Sequence, residues 1–451
     1  MLADPCFAAL RAHLETLLTG TSRVRVAYSG GLDSRVLLAL ACDWQQANPW
    51  RQLEVVHVHH GLNPQADRWA THCTEVCATY GIRCQVARVR VELAPRQSLE
   101  AVARQVRYAA LAEAMVSGTA LLTAHHQDDQ VETLLLALKR GAGPRGLAAM
   151  PVSQPFAGGI LVRPLLETPR ATLLALAERA GWQWVEDDSN QDVRFDRNFL
   201  RQQVLPQLNA RWPGFTATAA RSAALCAEQE ALLEELAQRD LAGRVTPAGG
   251  LRLMGLDDWS LPRRHHLLRA WLRGQGAVMP EAEQLRRVWP EVVLARADAT
   301  PCLQWGAQAI RRYDDALWLT PARLPAAPTS PAALVADQPL ALPAGRLVVS
   351  AIQQGARLRA PRPGERVEVC FGLPGQTLLH PQGRGLPRSL KKLWHEGRVA
   401  PWLRAGWPVI CYDGEVVAIP GLWVMRQAAS PEGSGWQVQW WPTGSATPLT
   451  L

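Results

Sequence analysis

Residues 24–38, VRVAYSGGLDSRVLL, restrict the possible folds more than any other stretch of this chain. The β-branched Val24 and Val26 favour a short strand, and the residues after the glycines favour a helix. Gly30 and Gly31 permit a sharp turn and a close backbone approach to a ligand. Because N–H groups at the start of a helix attract anions, we expect this turn to bind phosphate.

Polar side chains in the same turn refine this prediction. Ser29 and Ser34 supply hydroxyl donors, whereas Asp33 would repel a bare phosphate. A carboxylate there makes sense if it holds a Mg²⁺ ion that bridges phosphate oxygens. No Gly-Lys-Ser/Thr follows at the spacing of the common phosphate-binding loop. An ordinary glycine turn before a helix is the alternative interpretation.

The hexapeptide SGGLDS resembles the SGGxDS loop of the ATP pyrophosphatase, or PP-loop, families, which adenylate a substrate and release pyrophosphate. This resemblance implies ATP and Mg²⁺ as ligands, with the ion held by Asp33 through the phosphates. The predicted ATP-binding residues are Ser29, Gly30, Gly31, Leu32, Asp33 and Ser34.

Strand and helix patterns alternate through the first part of the chain. Strands are predicted at 24–28, 53–59, 83–89 and 120–124, and helices at 1–20, 34–46, 66–80, 99–117 and 127–139. Such alternation predicts an α/β fold, a parallel sheet with helices on both faces. Ligands bind beyond the carboxyl ends of strands in these sheets. The polar segments 29–34, 57–62 and 125–132 fall at such ends.

Composition indicates a globular protein. Apolar residues make up 48% and charged residues 20% of the 451, which is enough chain for two to four domains. We find no signal peptide and no apolar run of transmembrane length, and therefore expect a cytoplasmic protein. The nine cysteines include no Cys-x-x-Cys pair, which favours buried free thiols over a zinc site.

Four regions are predicted: an ATP-binding catalytic domain at 1–213, a mainly helical domain at 214–320, a Pro/Ala-rich linker at 321–343 and a basic α+β domain at 344–451. Residues 340–451 hold twelve Arg and Lys against six Asp and Glu, within a net charge of +8 for the whole chain. Such a basic block favours a polyanionic partner, although a solubilising surface would give the same count. A hairpin is predicted at 409–419.

The sequence HHQDDQVET, residues 125–133, lies where a strand gives way to a helix. Asp129 and Glu132 are three residues apart and share one helical face. These carboxylates could bind a cationic substrate, hold a second metal or act as general bases. His125 is a further candidate for proton transfer. A solvated first helical turn, in which the dipole favours acids, is the alternative.

Other histidines and glycines give weaker signals. His57, His59 and His60 could suggest zinc, but strand alternation sends His57 and His59 to one face and His60 to the other. A contact to nucleotide at the strand end is the preferred interpretation. Residues 141–146 spell GxGxxG, but they follow a helix rather than a strand, so we reject a nicotinamide site.

Several basic segments are candidates for phosphate or RNA contacts. Arg104 and Arg107 lie three apart on a predicted helix and either face phosphates or form a solvated basic face. The loop 187–201 is rich in Arg and Asn, which suit an RNA backbone or a substrate carboxylate, or else cap local turns. Near the C-terminus, cations beside tryptophans suit phosphates and unstacked bases, or else mark buried rings with a basic rim. The predicted RNA-binding residues are Arg197, Asn198, Arg201, Arg388, Lys391, Lys392, Trp394 and Arg404.

Taken together, the motifs resemble the bacterial tRNA(Ile)-lysidine synthase family, a member of the PP-loop superfamily. The resemblance runs in order through nearly the whole chain: SGGLDS at 29–34, HVHHGL at 57–62, ARQVRY at 103–108, HHQDDQVET at 125–133, RPLL at 163–166, DDSNQDVRFDRNFLR at 187–201 and KKLWHEGRVAPWLR at 391–404. The ordered set, rather than any single motif, makes it specific.

This resemblance implies ATP-dependent attachment of lysine to the first anticodon cytidine of tRNA(Ile) with a CAU anticodon, so that AUA is read as isoleucine. The cytidine would first be adenylated, and the lysine ε-amine would then displace AMP. Asp129 and Glu132 would bind lysine, and the implied partners are this tRNA and free lysine, with a homodimer left open. The implied catalytic residues are Asp33, Arg107, His125, Asp129 and Glu132.

Two rival functions follow from the same motifs. Another PP-loop enzyme such as a tRNA thiolase would share the loop, but its sulfur chemistry needs paired reactive cysteines, which the catalytic half lacks. A non-catalytic RNA-binding protein could keep the loop as scaffold, yet it would gain nothing from Asp33 and the acidic cluster near phosphate.

Overall fold

A computed structural model describes residues 4–92, 99–113, 115–296, 299–430, 433–443 and 447–451, without the side chains of Glu100, Ser189 and Asn190. The chain divides into two compact units, Met1–Leu232 and Leu233–Leu451. The finer division into four regions stays a prediction. In the described part of the chain, no helix combines the length and apolarity needed to cross a membrane.

The first unit is built on a six-stranded sheet with the order β3-β2-β1-β4-β6-β5. All neighbouring pairs are parallel except β5 and β6, which form an antiparallel edge. The strands are β1 (Arg23–Ala27), β2 (Gln52–His59), β3 (Cys84–Arg88), β4 (Thr119–Leu122), β5 (Ser153–Phe156) and β6 (Gly159–Val162). The predicted α/β fold with a parallel sheet is confirmed.

Helices precede, connect and follow these strands. They are α1 (Pro5–Leu17), α2 (Leu32–Gln46), α3 (Ala66–Thr79), α4 (Leu99–Glu113), α5 (Gln127–Lys139), α6 (Pro144–Leu147), α7 (Arg170–Arg179), α8 (Asp196–Phe199), α9 (Leu205–Arg211) and α10 (Phe215–Leu241). A 3₁₀ turn spans Asp188–Gln191 and a π-helical turn spans Leu200–Val204. Helix α2 begins at Leu32, two residues earlier than predicted.

Helix α2 and strand β1 form the centre of the first core. Val24 and Val26 of β1 are fully buried, and so are Val36, Leu37 and Leu40 of α2. A helix that is apolar on nearly all sides must be covered on nearly all sides. Burial of both elements fixes the turn between them, and this turn is the predicted phosphate site.

The second unit contains an α+β part followed by a strand-rich part. The first part has the sheet order β7-β10-β9-β8. Its elements are β7 (Leu251–Arg252), α11 (Leu261–Gly274), α12 (Ala282–Arg287), a π-helical turn (Val288–Val293), β8 (Cys302–Trp305), β9 (Gln308–Tyr313) and β10 (Ala316–Pro321). The predicted helical region therefore also carries a small antiparallel sheet.

The strand-rich part has sheets with the orders β11-β14-β17-β18-β19 and β12-β13-β20-β21, and the pair β15-β16. Its strands are β11 (Ala332–Ala333), β12 (Leu340–Leu342), β13 (Gly345–Ile352), β14 (Val367–Cys370), β15 (Leu378–Leu379), β16 (Arg388–Ser389), β17 (Val409–Tyr412), β18 (Glu415–Ile419), β19 (Trp423–Val424), β20 (Gly435–Pro442) and β21 (Leu449–Thr450). Helices α13 (Leu390–Glu396) and α14 (Pro401–Arg404) complete it. The predicted hairpin at 409–419 is confirmed by the antiparallel pairing of β17 with β18.

Candidate functional site

The turn between β1 and α2 has the backbone shape that an anion site requires. Gly30 adopts a φ of +86°, and a Cβ atom there would lie 2.9 Å from Cys73 Sγ. Glycine is therefore needed both for the conformation and for the space. Gly31 is the N-cap of α2, where no described side chain caps the first N–H groups. Those donors stay available to an anion.

Two serine hydroxyls meet across the turn. Ser29 Oγ lies 3.0 Å from Ser34 Oγ, and Ser34 Oγ donates to the carbonyl oxygen of Gly31 at 2.9 Å. These contacts hold the turn in shape before any ligand arrives. Both hydroxyls can rotate to donate to phosphate oxygens.

A distant segment supports the same turn. The backbone N–H of Val185 donates to the carbonyl oxygen of Gly30 at 2.9 Å, and Val185 Cγ2 would lie 3.5 Å from a Cβ at Gly30. The chain that leaves α7 is therefore bonded to the loop that follows β1.

Asp33 lies in the first turn of α2 beside two basic side chains. Its Oδ2 atom is 3.6 Å from His126 Nε2, and its Oδ1 atom is 3.8 Å from Arg170 Nε. Burial raises the pKa of Asp33, against the opposing effects of His126 and Arg170. Oδ1 is buried and has no hydrogen-bond partner among the described residues.

His126 connects Asp33 to the acidic cluster at the start of α5. Its backbone N–H donates to Asp129 Oδ2 at 3.1 Å, and its Nε2 atom lies 3.4 Å from the same oxygen. His126 is buried, with 1% of its surface exposed. Burial would raise the pKa of Asp129, but His126, His125 and Arg201 bring it below the usual value.

Arg201 bridges the two predicted lysine-binding carboxylates. Its Nε atom donates to Glu132 Oε1 at 2.7 Å, and its Nη2 atom donates to Glu132 Oε2 at 3.1 Å and to Asp129 Oδ1 at 2.9 Å. Glu132 is completely buried, and burial raises its pKa against the opposing effect of Arg201. The sequence predicted an RNA contact for Arg201, but in the structure its partners are Asp129 and Glu132.

The histidines of β2 do not gather into a metal site. His57 Nδ1 lies 3.0 Å from the carbonyl oxygen of Tyr28, whereas His59 lies beside Asp67 and Arg88. Burial lowers the pKa of His57 and of His60. Within the described residues, no group of three His, Cys, Asp or Glu side chains is arranged to hold a metal.

Helix α4 contributes two arginines near Tyr108. The guanidinium carbon of Arg107 lies 5.4 Å from the Tyr108 ring centroid, and that of Arg104 lies 4.9 Å from it. Arg107 is half-buried and burial lowers its pKa, whereas Arg104 is exposed. His125 Nδ1 pairs with Thr123 Oγ1 at 2.9 Å, and burial lowers the pKa of His125 to about 3.

These groups surround one cavity of about 760 Å³. Side chains of the turn after β1, the end of β2, helix α4, the end of β4 and the segment before α9 all line it. Those that bear on chemistry are Ser29, Asp33, Ser34, His57, His60, Arg107, His125, Arg197, Asn198 and Arg201. Asp129 and Glu132 lie behind Arg201 rather than in the wall.

The remaining predicted residues of the first unit have local partners. Arg197 Nη2 donates to Thr133 Oγ1 at 2.9 Å. Asn198 Nδ2 donates to the carbonyl oxygen of Asp192 at 3.0 Å. Both side chains line the cavity, so they shape the site from the segment that also carries Arg201.

In the C-terminal region the predicted RNA contacts divide into surface and core. Lys391 and Lys392 are exposed, whereas Arg388 and Arg404 are half-buried. Trp394 is 5% exposed and packs edge-on against Trp407, with ring centroids 6.1 Å apart. The expectation that Trp394 stacks on a base is not met here, because its ring is part of the hydrophobic core.

No role was predicted from the sequence for His126 or for Arg170. Arg170 reaches Asp33 from the first turn of α7, and its backbone N–H donates to Asp128 Oδ2 at 3.0 Å. Their position in the sequence could have indicated these roles, because both residues lie where a helix begins at the carboxyl edge of the sheet, and ligands bind there.

Comparisons with known proteins agree with this architecture. A PP-loop domain family model matches residues 7–208, a TilS substrate binding domain matches 251–318 and a TilS substrate C-terminal domain matches 367–440. Proteins named tRNA(Ile)-lysidine synthase from Salmonella agona (strain SL483) and from Salmonella typhimurium are each 46% identical over 428 residues, which cover 95% of this chain and 98% of the relative.

Similarity to solved structures is much weaker. The tRNA thiolase NcsA from Methanococcus maripaludis has a TM-score of 0.40 and 18% identity over 49% of this chain and 79% of its own. Similarity at that level does not bear on the reaction.

Proposed function

The chain belongs to the tRNA(Ile)-lysidine synthase family, and we propose that the cavity of its PP-loop domain is where ATP, the anticodon cytidine and lysine meet. The protein is a ligase that forms lysidine in tRNA(Ile) and consumes ATP. The assignment of individual residues below is our proposal. It rests on one observation: the phosphate-type turn and Arg201, the cation covering two buried carboxylates, line the same cavity.

ATP binds with its phosphates at the turn from Ser29 to Ser34. Free N–H groups of the first turn of α2 and the two hydroxyls donate to phosphate oxygens, as expected at a helix start. The cavity extends from there toward the end of β2, where burial lowers the pKa of His57 and of His60, the residue after the strand, and so favours their neutral forms. Neutral imidazoles suit contacts to a nucleoside rather than to phosphate.

Asp33 suits a magnesium ion on the evidence of its own surroundings. Its Oδ1 atom is a buried acceptor without a hydrogen-bond partner among the described residues. Sites for Mg²⁺ on nucleotides commonly use one or two carboxylates together with the phosphates, so the lack of a three-residue cluster in the described residues does not count against it. When bound, the ion offsets charge that develops on the phosphates.

In the first step, O2 of the cytidine forms a bond to the α-phosphorus while the bond to the bridging oxygen breaks and pyrophosphate leaves. Arg107 contributes a positive charge in the cavity wall, next to the ring of Tyr108. Stabilising charge that builds up in such a transition state is commonly worth roughly 10²–10³-fold in rate for one donor.

In the second step, the ε-nitrogen of lysine forms a bond to C2 of the cytidine while the bond between C2 and O2 breaks, and AMP leaves with that oxygen. The ammonium must first lose a proton to a nearby base. His125 is a weak acceptor because its pKa is about 3. Glu132 is the better candidate, because burial raises its pKa and its carboxylate lies beside the cavity, whereas the pKa of Asp129 is below its usual value.

RNA contacts are proposed for exposed cations of the C-terminal region, chiefly Lys391 and Lys392.

The thiolase alternative is not favoured by any observation. The described wall of the cavity contains no cysteine, and Cys42, Cys73, Cys77 and Cys84 are buried.

The proposal is tested by omission assays. Purified protein is incubated with ATP, unmodified tRNA(Ile) and labelled lysine, and each is left out in turn. We expect pyrophosphate release to require the tRNA, and lysine to become bound to tRNA only when ATP is present. Pyrophosphate release that needs lysine but no tRNA would instead indicate a small-molecule ligase.

A further inference from the structure

The carboxylates of Asp129 and Glu132 are fully engaged in the free protein. Three of their four oxygen atoms accept hydrogen bonds from Arg201, and the fourth, Asp129 Oδ2, accepts one from the backbone N–H of His126. No oxygen of the pair is left without a donor. Because both carboxylates are also buried, an ammonium group that enters from the cavity binds them by taking over the bonds that Arg201 makes.

Access to the carboxylates is also controlled by Arg201. Glu132 has no exposed surface, and Asp129 is 8% exposed. The Arg201 side chain is 35% exposed and forms part of the cavity wall. A molecule entering from the cavity meets the guanidinium before it meets either acid.

The chemistry of the contact matches that of the proposed substrate. A guanidinium held by two carboxylates is a cation in a desolvated acidic site, and a primary ammonium has the same charge and also donates hydrogen bonds. Removing the cation without replacement would leave buried charges uncompensated, which is strongly unfavourable. The site therefore needs one cation at all times, from the protein or from a ligand.

We propose that Arg201 is a positioning residue that fills the amine subsite as an internal cation, and that the incoming lysine takes its place on Asp129 and Glu132. The inference rests on the proposed function, because it takes this acidic pair as the lysine subsite. Arg201 keeps both acids oriented until substrate arrives. It also lies on the π-helical turn Leu200–Val204, a type of irregular turn that often occurs at functional sites.

Replacing Arg201 by alanine tests this directly, with methylguanidinium as the probe. In the Arg201→Ala variant, the vacated subsite should bind methylguanidinium, which should then compete with lysine and raise the KM for lysine at least about tenfold at saturating probe. The wild-type protein should be unaffected at the same concentration, because its own guanidinium fills the subsite. Labelled lysine transfer to tRNA(Ile) is the measurement.

Arg197→Ala is the matched control. Arg197 lines the same cavity from the same segment, but it donates to the hydroxyl of Thr133 rather than to a carboxylate. Methylguanidinium should not compete with lysine in this variant. ATP-induced thermal stabilisation of each variant shows whether the domain is folded. A second control is Arg201→Lys, which keeps a cation in place, so methylguanidinium should not compete with lysine in that variant.

The alternatives give different results. If Arg201 only orients the acids and lysine binds elsewhere, methylguanidinium should restore activity to Arg201→Ala without competing, and the inference is wrong. It is equally wrong if a folded Arg201→Ala variant is indifferent to the probe or has lost only tRNA affinity. Failure of the wild-type protein to transfer lysine at all would instead remove the proposed function.

Discussion

The imidazole of His126 lies between two carboxylates, with its Nε2 atom 3.6 Å from Asp33 Oδ2 and 3.4 Å from Asp129 Oδ2. Asp33 belongs to the first turn of α2 and Asp129 to the first turn of α5. Strands β1 and β4, which precede these helices, are neighbours in the sheet. The proposed phosphate and amine subsites are thus adjacent because two neighbouring parallel strands end side by side.

Replacing Asp33 by alanine should abolish adenylation and leave tRNA binding nearly unchanged. Loss of the proposed Mg²⁺ ligand should lower tRNA-dependent pyrophosphate release by roughly 10²–10³-fold or more. Asp43→Ala is the control, since Asp43 lies on the same helix and pairs with Arg11 at 3.6 Å. Near-normal turnover in the Asp33 variant would rule out the metal role.

Replacing Gly30 by alanine should destabilise the loop and weaken ATP binding. The substitution adds a Cβ 2.9 Å from Cys73 Sγ and forces a side chain into a φ of +86°. Placing alanine in this left-handed backbone conformation by itself costs about 1–2 kcal/mol of stability. Gly20→Ala is the control, because Gly20 has a φ of +78° and nothing within 4 Å of a Cβ.

Both glycine variants should therefore lose stability in urea denaturation, but only Gly30→Ala should also lose ATP affinity in a direct binding assay. The double change Gly30→Ala with Cys73→Ala should recover part of the loss, because it removes the sulfur that the new methyl group meets. Equal ATP affinity in the two single variants would show that the shape of the turn does not matter for nucleotide binding.

Replacing His125 by glutamine should make the protein more resistant to acid. The pKa of His125 falls from 6.5 to about 3 on folding, so only the unfolded state takes up this proton as the pH drops below 6.5. The stability that depends on a neutral His125 is present above pH 6.5 and is lost between pH 6.5 and 3. At pH 5 the loss is at most about 2 kcal/mol.

The free energy of unfolding should be measured for both proteins at pH 7.5 and pH 5. Between pH 7.5 and pH 5 the free energy of unfolding should fall less in the glutamine variant than in the wild type, and the difference should be up to about 2 kcal/mol. A glutamine can keep a hydrogen bond to Thr123. If both proteins lose the same amount, His125 titrates near its ordinary pKa and becomes a stronger candidate for proton transfer.

Replacing Lys391 and Lys392 together by alanine should weaken tRNA binding and reduce its dependence on salt. Each lysine that contacts phosphate contributes about one unit to the slope of log affinity against log salt concentration. We therefore expect the slope to fall by about one to two units, while the KM for lysine stays unchanged. An unaltered slope would place the RNA contacts elsewhere.

Trp394→Ala separates this effect from folding. Trp394 is buried against Trp407, and truncating a buried tryptophan typically costs about 3–5 kcal/mol. This variant should be markedly less stable, but in the folded state it should keep the wild-type salt slope. A stable Trp394 variant with weakened RNA binding would restore the stacking role that its sequence context suggested.

The sequence predicted the sheet and the loop because both depend on local pattern. Alternating strands and helices placed β1, β2 and β4 correctly, and the two glycines predicted a turn that only glycine fits at Gly30. Asp129 and Glu132 were recognised as one helical face from their spacing alone.

Long-range partners could not be predicted in the same way. Arg201 is far from Glu132 in the sequence, and an arginine in a polar segment matches an RNA contact as well as an internal ion pair. Trp394 was ambiguous for a similar reason, since a tryptophan beside two lysines fits a stacking surface and a buried core equally well. Only the fold decides between these interpretations, because burial depends on what packs against each side chain.

The hydrogen bond from Val185 to Gly30 has a consequence for synthesis on the ribosome. Residues 29–34 emerge early, but Val185, whose N–H group bonds to this loop, emerges only after α7 has been translated. A nascent chain that ends before Val185 should therefore hold nucleotide poorly, even though it already contains the entire SGGLDS sequence. The growing polypeptide therefore becomes able to bind ATP only after residue 185 has been synthesised.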